Sequence, residues 1–395
     1  MVALKYSRWG LAKWGATLWL GCGGAWETEA KPAPLVLWHA QDRSQARFLE
    51  KVVREVDPAI RLESGVELAP ALVTQSQRGL APAAAIVPAD SLSLAAELRL
   101  SEIPADLKSP EVPAEHFERA TLGGKLHGLP LLDGNHPLLF FNRRWIASAP
   151  ASWDALREQV RKLPKGGPKG VGWHRTPYFF APFWRAFGGR PFDDDPGDTA
   201  ILEKTLAFFA SLESDRIVEA KCGFACATDD FLAGRYAFAI NGDWALRDAF
   251  DRLGEGLGVA AIPNVESGPV HAYRLAHVLV FPNDSLRGPH RGRLLALARH
   301  LQSLPVQTRW QNEAFRRPVN AKVPAPSVEV LRTSFAVAAV APPIRVDART
   351  LFRWGAIGRG TKSSAAPAQA ARAIREAYVP PTKPTPVPST APEKR

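Results

Sequence analysis

The chain has 395 residues, 46% of them hydrophobic and 23% charged, with 50 Lys and Arg against 39 Asp and Glu for a net charge of +11. At about 100–200 residues per domain, this length suggests two domains, and no apolar run reaches the ~18 residues of a bare membrane-spanning helix. Basic and acidic residues are interspersed through the body of the chain, so the excess charge forms no clustered basic patch of the kind that nucleic-acid binding requires.

At the amino end, Lys5, Arg8 and Lys13 precede the apolar segment 14–20, and Gly21 stands before Cys22. A basic region, a short apolar region and a small residue before the cut describe a secretory signal over 1–22. Its position makes Cys22 a lipidation site, with 23–34 as a tether between membrane and fold. Residues 35–39 then form an apolar β run, 44–56 has helical periodicity, 60–63 is a second strand, 67–78 is helical, and 84–87 is a third strand ending before Asp90. Strands alternating with helices predict βαβ units and a mainly parallel sheet. Residues 124–133 and 138–142 are further strands, Ser152 caps a helix over 153–163, and 162–170 is a Lys/Gly/Pro loop. A helix over 200–212, strands over 258–262 and 277–281, and helices over 291–304, 345–357 and 367–378 follow. The Pro-rich tail, 379–395, offers almost nothing for a core and reads as disordered.

Two segments stand out. Cys222-Gly-Phe-Ala-Cys226 holds the remaining cysteines of the three in the chain. In an oxidising compartment a short-loop disulfide is expected, with two buried free thiols as the alternative. No further ligands with zinc-site spacing lie nearby, so no metal is expected. The second segment is 231–244, where an apolar strand 236–240 leads through Asn241-Gly242 as a turn to Trp244. In open α/β sheets ligands collect outside the carboxyl ends of strands, so Trp244 is delivered where a flat ring can serve as a platform.

This order of features, ending in Asn-Gly-x-Trp, resembles the family 1 extracellular solute-binding proteins, the sugar receptors of ABC importers related to the maltose-binding protein. Further segments match in order: Gly124-Lys-Leu-His-Gly-Leu-Pro130, Phe141-Asn142, Pro150-Ala-Ser-Trp153, Thr176-Pro-Tyr-Phe179, Arg317-Pro-Val-Asn320 and Leu351-Phe-Arg-Trp354. The resemblance implies an α/β, two-lobed periplasmic-binding-protein fold, each lobe a mainly parallel sheet flanked by helices, with the ligand cleft between lobes. Lobe one takes 34–133 and 280–325; lobe two takes 138–275 and 330–378. It implies an oligosaccharide ligand, ABC permease partners, hinge closure, a monomer, no cofactor, and an extracytoplasmic place on a membrane through the lipid anchor.

A sugar ring offers an apolar face to aromatic rings and a rim of hydroxyls to polar groups. By the resemblance, Tyr178, Trp244 and Trp354 are the aromatic platforms, and Asp42, Arg43 and Asp90 are polar partners at strand ends. The polar rim departs from the family pattern. The family's "NGDKG" reads Ala40-Gln-Asp-Arg-Ser44, "EPYF" reads Thr176-Pro-Tyr-Phe179, and a cleft carboxylate falls at either Asp133 or Asn135. No G-x-S-x-G, H-E-x-x-H or G-x-x-x-x-G-K-[ST] motif is present, and the acidic run 193–195 reads as a solvated loop, so no enzyme is expected. A surface sensory or adhesion lipoprotein of the same fold, or a binding protein for a different small solute, are the alternatives.

Overall fold

The computed structural model describes residues 35–65, 68–344, 346–347, 349–361 and 366–378. The signal segment with Cys22, the tether and the Pro-rich tail lie outside these residues. The strands are β1 (Val36–His39), β2 (Arg61–Ser64), β3 (Ala84–Pro88), β4 (Thr121–Leu122), β5 (Lys125–Leu126), β6 (Leu129–Gly134), β7 (Pro137–Asn142), β8 (Lys169–Trp173), β9 (Tyr236–Gly242), β10 (Leu257–Ala260) and β11 (Leu275–Val280).

They form two main sheets, ordered β2-β1-β3-β11-β6 and β10-β7-β9-β8, while β4 and β5 pair as a small hairpin. Among the strands named here, β1–β2, β1–β3 and β8–β9 pair in parallel. The pairs β3–β11, β6–β11, β7–β10 and β7–β9 run antiparallel. The sheets are therefore mixed rather than mainly parallel. The βαβ signal over 36–88 is local and gives parallel strands, whereas β11 enters between β3 and β6 from a distant segment whose direction no local pattern dictates. Only Asn135 and His136 separate β6 from β7, so the chain steps from one sheet to the other within two residues. Asn135 takes a left-handed conformation, φ 50°, which Asn tolerates better than most side chains.

Helix Arg43–Val56 buries Phe48, Leu49, Val52 and Val53 on one stripe. It packs with helices Arg291–Gln302 and Leu304–Ala314, and the Phe48 and Trp310 rings meet edge to face at 4.6 Å. The core beside the second sheet is aromatic. Trp153 stacks on Trp173 at 5.8 Å, and Phe183 and Phe209 close on Trp173 at 5.3 and 5.1 Å.

Trp173 is fully buried at the end of β8, a strand that follows directly on the expected loop 162–170. Gly and Lys disguise that strand in the sequence. Gly172 is required by close approach, since a β-carbon there would fall 2.3 Å from the Cys226 carbonyl oxygen. The disulfide expected between Cys222 and Cys226 is not formed, and both are free thiols. Cys222 Sγ instead accepts the Trp173 N–H at 3.2 Å. Burial, then a hydrogen bond with Cys226, push the Cys222 thiol up to about 12, so it stays protonated.

Candidate ligand-binding site

Strands of both sheets end on a cavity of about 330 Å³. From the first sheet come Ala40 and Asp42 beyond β1, Pro88 at the end of β3, and His277 in β11; from the second come His174 and Thr176 beyond β8, and Ile240, Asn241 and Trp244 at the end of β9. The strand β9 runs through Asn241 and Gly242 rather than turning at them, and a short 3-10 turn over Asp243–Ala245 then carries Trp244.

Tyr178 and Trp244, two of the three expected platforms, line this cavity. Tyr178 lies in helix Pro177–Ala186, opened by a Pro whose missing N–H costs nothing in the first turn. The Tyr178 and Trp244 ring centroids are 6.2 Å apart with planes tilted 52°, and Phe179 closes on Trp244 at 6.2 Å. Trp354 is not a wall of the cavity. Its ring packs 5.6 Å from Tyr178 and 4.7 Å from Phe192, behind the Tyr178 platform. The Tyr178 hydroxyl donates to the backbone carbonyls of Asn135 and, at 3.3 Å, Tyr273. Burial first, then the Asp243 and Asp90 charges, hold the phenol well above its ordinary value, so it remains neutral.

Asp42 occupies the N-cap position of helix Arg43–Val56 but makes no side-chain cap hydrogen bond, so capping does not account for it. It lines the cavity. Burial raises its carboxyl to about 6, with Arg316 opposing and Asp248 adding to the shift. Asp90 lies in the 3-10 turn Ala89–Leu94 that follows β3 and is not among the residues that line the cavity. Burial raises it to about 6 as well, offset by the Ser91 N–H and by the neighbouring Trp354 indole, whose Nε1 has no fully formed hydrogen bond of its own. Arg43 instead lines an adjoining hollow of about 250 Å³, shared by Asp42, Phe224 and Asn241 and bounded by Asp229 and Asp248.

Asn135 lines the cavity, whereas Asp133 does not. The Asp133 carboxylate is 3% exposed and pairs with Arg274 at 2.5 Å and Arg317 at 2.9 Å. Four lining residues carry no local signal in the sequence: Gln45, His174, His277 and Arg316. Gln45 donates to the Trp244 carbonyl at 2.8 Å, tying the first sheet's helix to the second sheet's platform. Arg316 is 1% exposed. Its Nη2 lies 3.3 Å from His277 Nδ1, its Nη1 3.5 Å from Gln45 Oε1 and its Nε 3.8 Å from Asp243. Gln41 Nε2 also faces His277 Nδ1, at 3.4 Å, so Nδ1 serves as acceptor. Burial, then Arg316, keep His277 neutral, well below the ordinary histidine value. Among the described residues no cluster of His, Cys, Asp or Glu could hold a metal ion, and no helix is long and apolar enough to cross a membrane.

The sequence matches the family described as bacterial extracellular solute-binding protein over residues 53–332. The chain belongs to this family. Comparison with curated proteins gives no match. Among solved structures, the maltose/maltodextrin-binding domain from Bdellovibrio bacteriovorus bound to maltotriose is similar, with a TM-score of 0.77 at 21% identity over 87% of this chain and 98% of that one. The Thermus thermophilus maltotriose-binding protein bound with maltotriose gives 0.78 at 18% identity over 87% and 98%. The GacH receptor of Streptomyces glaucescens, solved unliganded and with acarbose, gives 0.76 at 16% identity over 87% and 97%. At these identities the likeness establishes the two-lobed fold. As a solute-binding protein of this extracellular family, the chain is a receptor rather than an enzyme and acts outside the cytoplasm.

Proposed function

We propose that this solute-binding protein is an oligosaccharide receptor of an ABC importer. The observation that carries the reading is the pairing of Tyr178 and Trp244 on a cavity between two sheets, with Asp42, Asn135, Asn241 and Arg316 around it. Rings cover the C–H face of a sugar, and carboxylate, amide and guanidinium groups take its hydroxyl rim. Trp354 acts through Tyr178, whose ring it backs, Asp90 supports the same end, and Arg43 extends the rim into the adjoining hollow.

In this reading, 34–133 with 280–325 and 138–275 with 330–378 are two lobes that close on the ligand by hinge motion. The closed monomer docks on the permease. Cys22 carries the lipid that holds the receptor at the membrane. Titration of intrinsic tryptophan fluorescence with maltotriose and a panel of other oligosaccharides tests the reading. A saturable change is expected, and a folded protein that responds to no saccharide would refute it.

A further inference from the structure

Two buried side chains from remote segments end on one short turn. Gln45, on helix Arg43–Val56, is 1% exposed. Its Nε2 donates to the Trp244 carbonyl at 2.8 Å, and its Oε1 faces Arg316 Nη1 at 3.5 Å. Arg316, which follows helix Leu304–Ala314, sets its Nε 3.8 Å from Asp243. Asp243 and Trp244 share the 3-10 turn Asp243–Ala245, which presents the platform ring to the cavity. By the lobe boundaries proposed above, Gln45 and Arg316 belong to lobe one and the turn belongs to lobe two. The turn is also tied to the joint, since the Asp243 N–H donates to the His136 carbonyl at 3.1 Å.

The two crossing contacts differ in kind. The bond from Gln45 to Trp244 is well formed and joins neutral groups. Parting the lobes breaks it and hands both groups to water, so it favours the closed form by a modest net amount. The contact of Arg316 with Asp243 is an ion pair without a hydrogen bond, and Arg316 Nε and Asp243 Oδ1 have no hydrogen-bond partner. Sheltered charges in so loose a geometry gain little over hydrated ones. Gln45 is therefore the stronger tie. Its amide is engaged on both sides, the nitrogen on lobe two and the oxygen toward Arg316, so it reaches the ligand through the platform turn although it borders the cavity.

We infer that Gln45 is a positioning residue that clasps the lobes without ligand, by holding the Trp244 turn across the cleft. This rests on the two-lobed receptor reading and adds a regulation to it. The empty receptor is drawn toward the closed form, and the same closure sets the platform ring. Ligand then has less of the conformational equilibrium left to shift.

Pulsed electron–electron resonance on the empty full chain tests it, with spin labels on ketone-bearing residues introduced at the exposed positions Glu50 and Glu203, one in each proposed lobe. Gln45→Met keeps the length of the side chain without the amide. Gln45→Glu keeps an acceptor for Arg316 but, ionised, cannot donate to the Trp244 carbonyl. The empty native chain is expected to populate the separation seen in this structure. Each variant should raise the ratio of longer to shorter separations about 2–10-fold. Thermal unfolding checks that the variants are folded, and either folded variant decides. Separations unmoved by the substitution, or an empty native chain wholly at longer separations, overturn the inference. Maltotriose binding to the native chain and to Gln45→Met is measured by calorimetry alongside. Weaker binding with unmoved separations makes Gln45 a ligand contact and overturns the clasp. A native chain that binds no saccharide counts against the receptor reading alone, because the clasp is read on the empty protein.

Discussion

The Trp244 indole lies over Gly242, so that a β-carbon at Gly242 would fall 2.0 Å from its Cζ3 atom. The backbone of Gly242, φ −97°, is open to any residue, and it is the ring that requires the small one. Gly242→Ala therefore displaces the indole, and Trp244→Ala removes it. Trp244→Ala is expected to weaken saccharide binding by about 1–3 kcal/mol, with Gly242→Ala in the same direction. Calorimetric titration measures both, and unchanged affinity in both would take Trp244 out of the site.

Acid titration should reveal the two sheltered carboxylates. Asp42 and Asp90 are raised to about 6 from 3.8. Between these values the folded chain keeps protons that the unfolded chain has released, so these two sites make stability fall as pH rises through that window. Below the window their penalty is absent; above it the penalty is complete. Other carboxylates shift the opposite way, Asp57 through its bond to Arg293 among them, so the comparison must be with a variant. Asp42→Asn combined with Asp90→Asn should gain stability over the native chain on the order of 1–2 kcal/mol per site as pH rises from about 4 to 6. Urea unfolding at the two ends of the range measures it, and an equal difference at both would contradict the shift.

Asp243 is 2% exposed and is the carboxylate nearest both Arg316 and His136, at 3.8 Å from each. Asp243→Asn removes the nearest counter-charge of the buried Arg316 guanidinium. A loss of about 3 kcal/mol in unfolding free energy is expected, read as a lower urea midpoint. A variant as stable as the native chain would show that the ion pair is balanced by its desolvation.

Trp173 supports the second sheet from its buried side, against Trp153, Phe183 and Phe209. Trp173→Ala should cost about 3–5 kcal/mol of stability, whereas Trp244→Ala, at a half-buried ring on the cavity, should cost much less. Chemical denaturation of the two variants side by side separates a core tryptophan from a ligand platform; equal losses would erase the distinction.

Legibility in the sequence followed the strength of local pattern. The strands and helix over 36–64 were readable because apolar runs and helical periodicity alternate cleanly there. Strand β8 was hidden because Lys169, Gly170 and Gly172 suit a loop as well as a strand pressed against the Cys226 carbonyl. Helix Pro177–Ala186 is apolar nearly all round, so no periodicity marks it. In the site, Asp42 and Trp244 follow readable strands, and Tyr178 was carried by the resemblance. Gln45, His277 and Arg316 come from three remote segments and meet only in the folded chain. Each alone is an ordinary polar residue. Trp354 shows the converse limit: its segment matched, yet its ring backs Tyr178 instead of lining the cavity.

The Tyr178 hydroxyl reaches Asn135 and Tyr273, which lie in the two stretches of chain that pass between the sheets, after β6 and before β11. One phenol thus has its ring in the pocket and its oxygen on both passages. If the lobes close as proposed, a ligand pressing on that ring changes the torque on the joint itself, without a relay of intervening residues. Recognition and motion would then share a single side chain. Repacking the pocket for a new sugar would also reset how far the receptor stands open when empty.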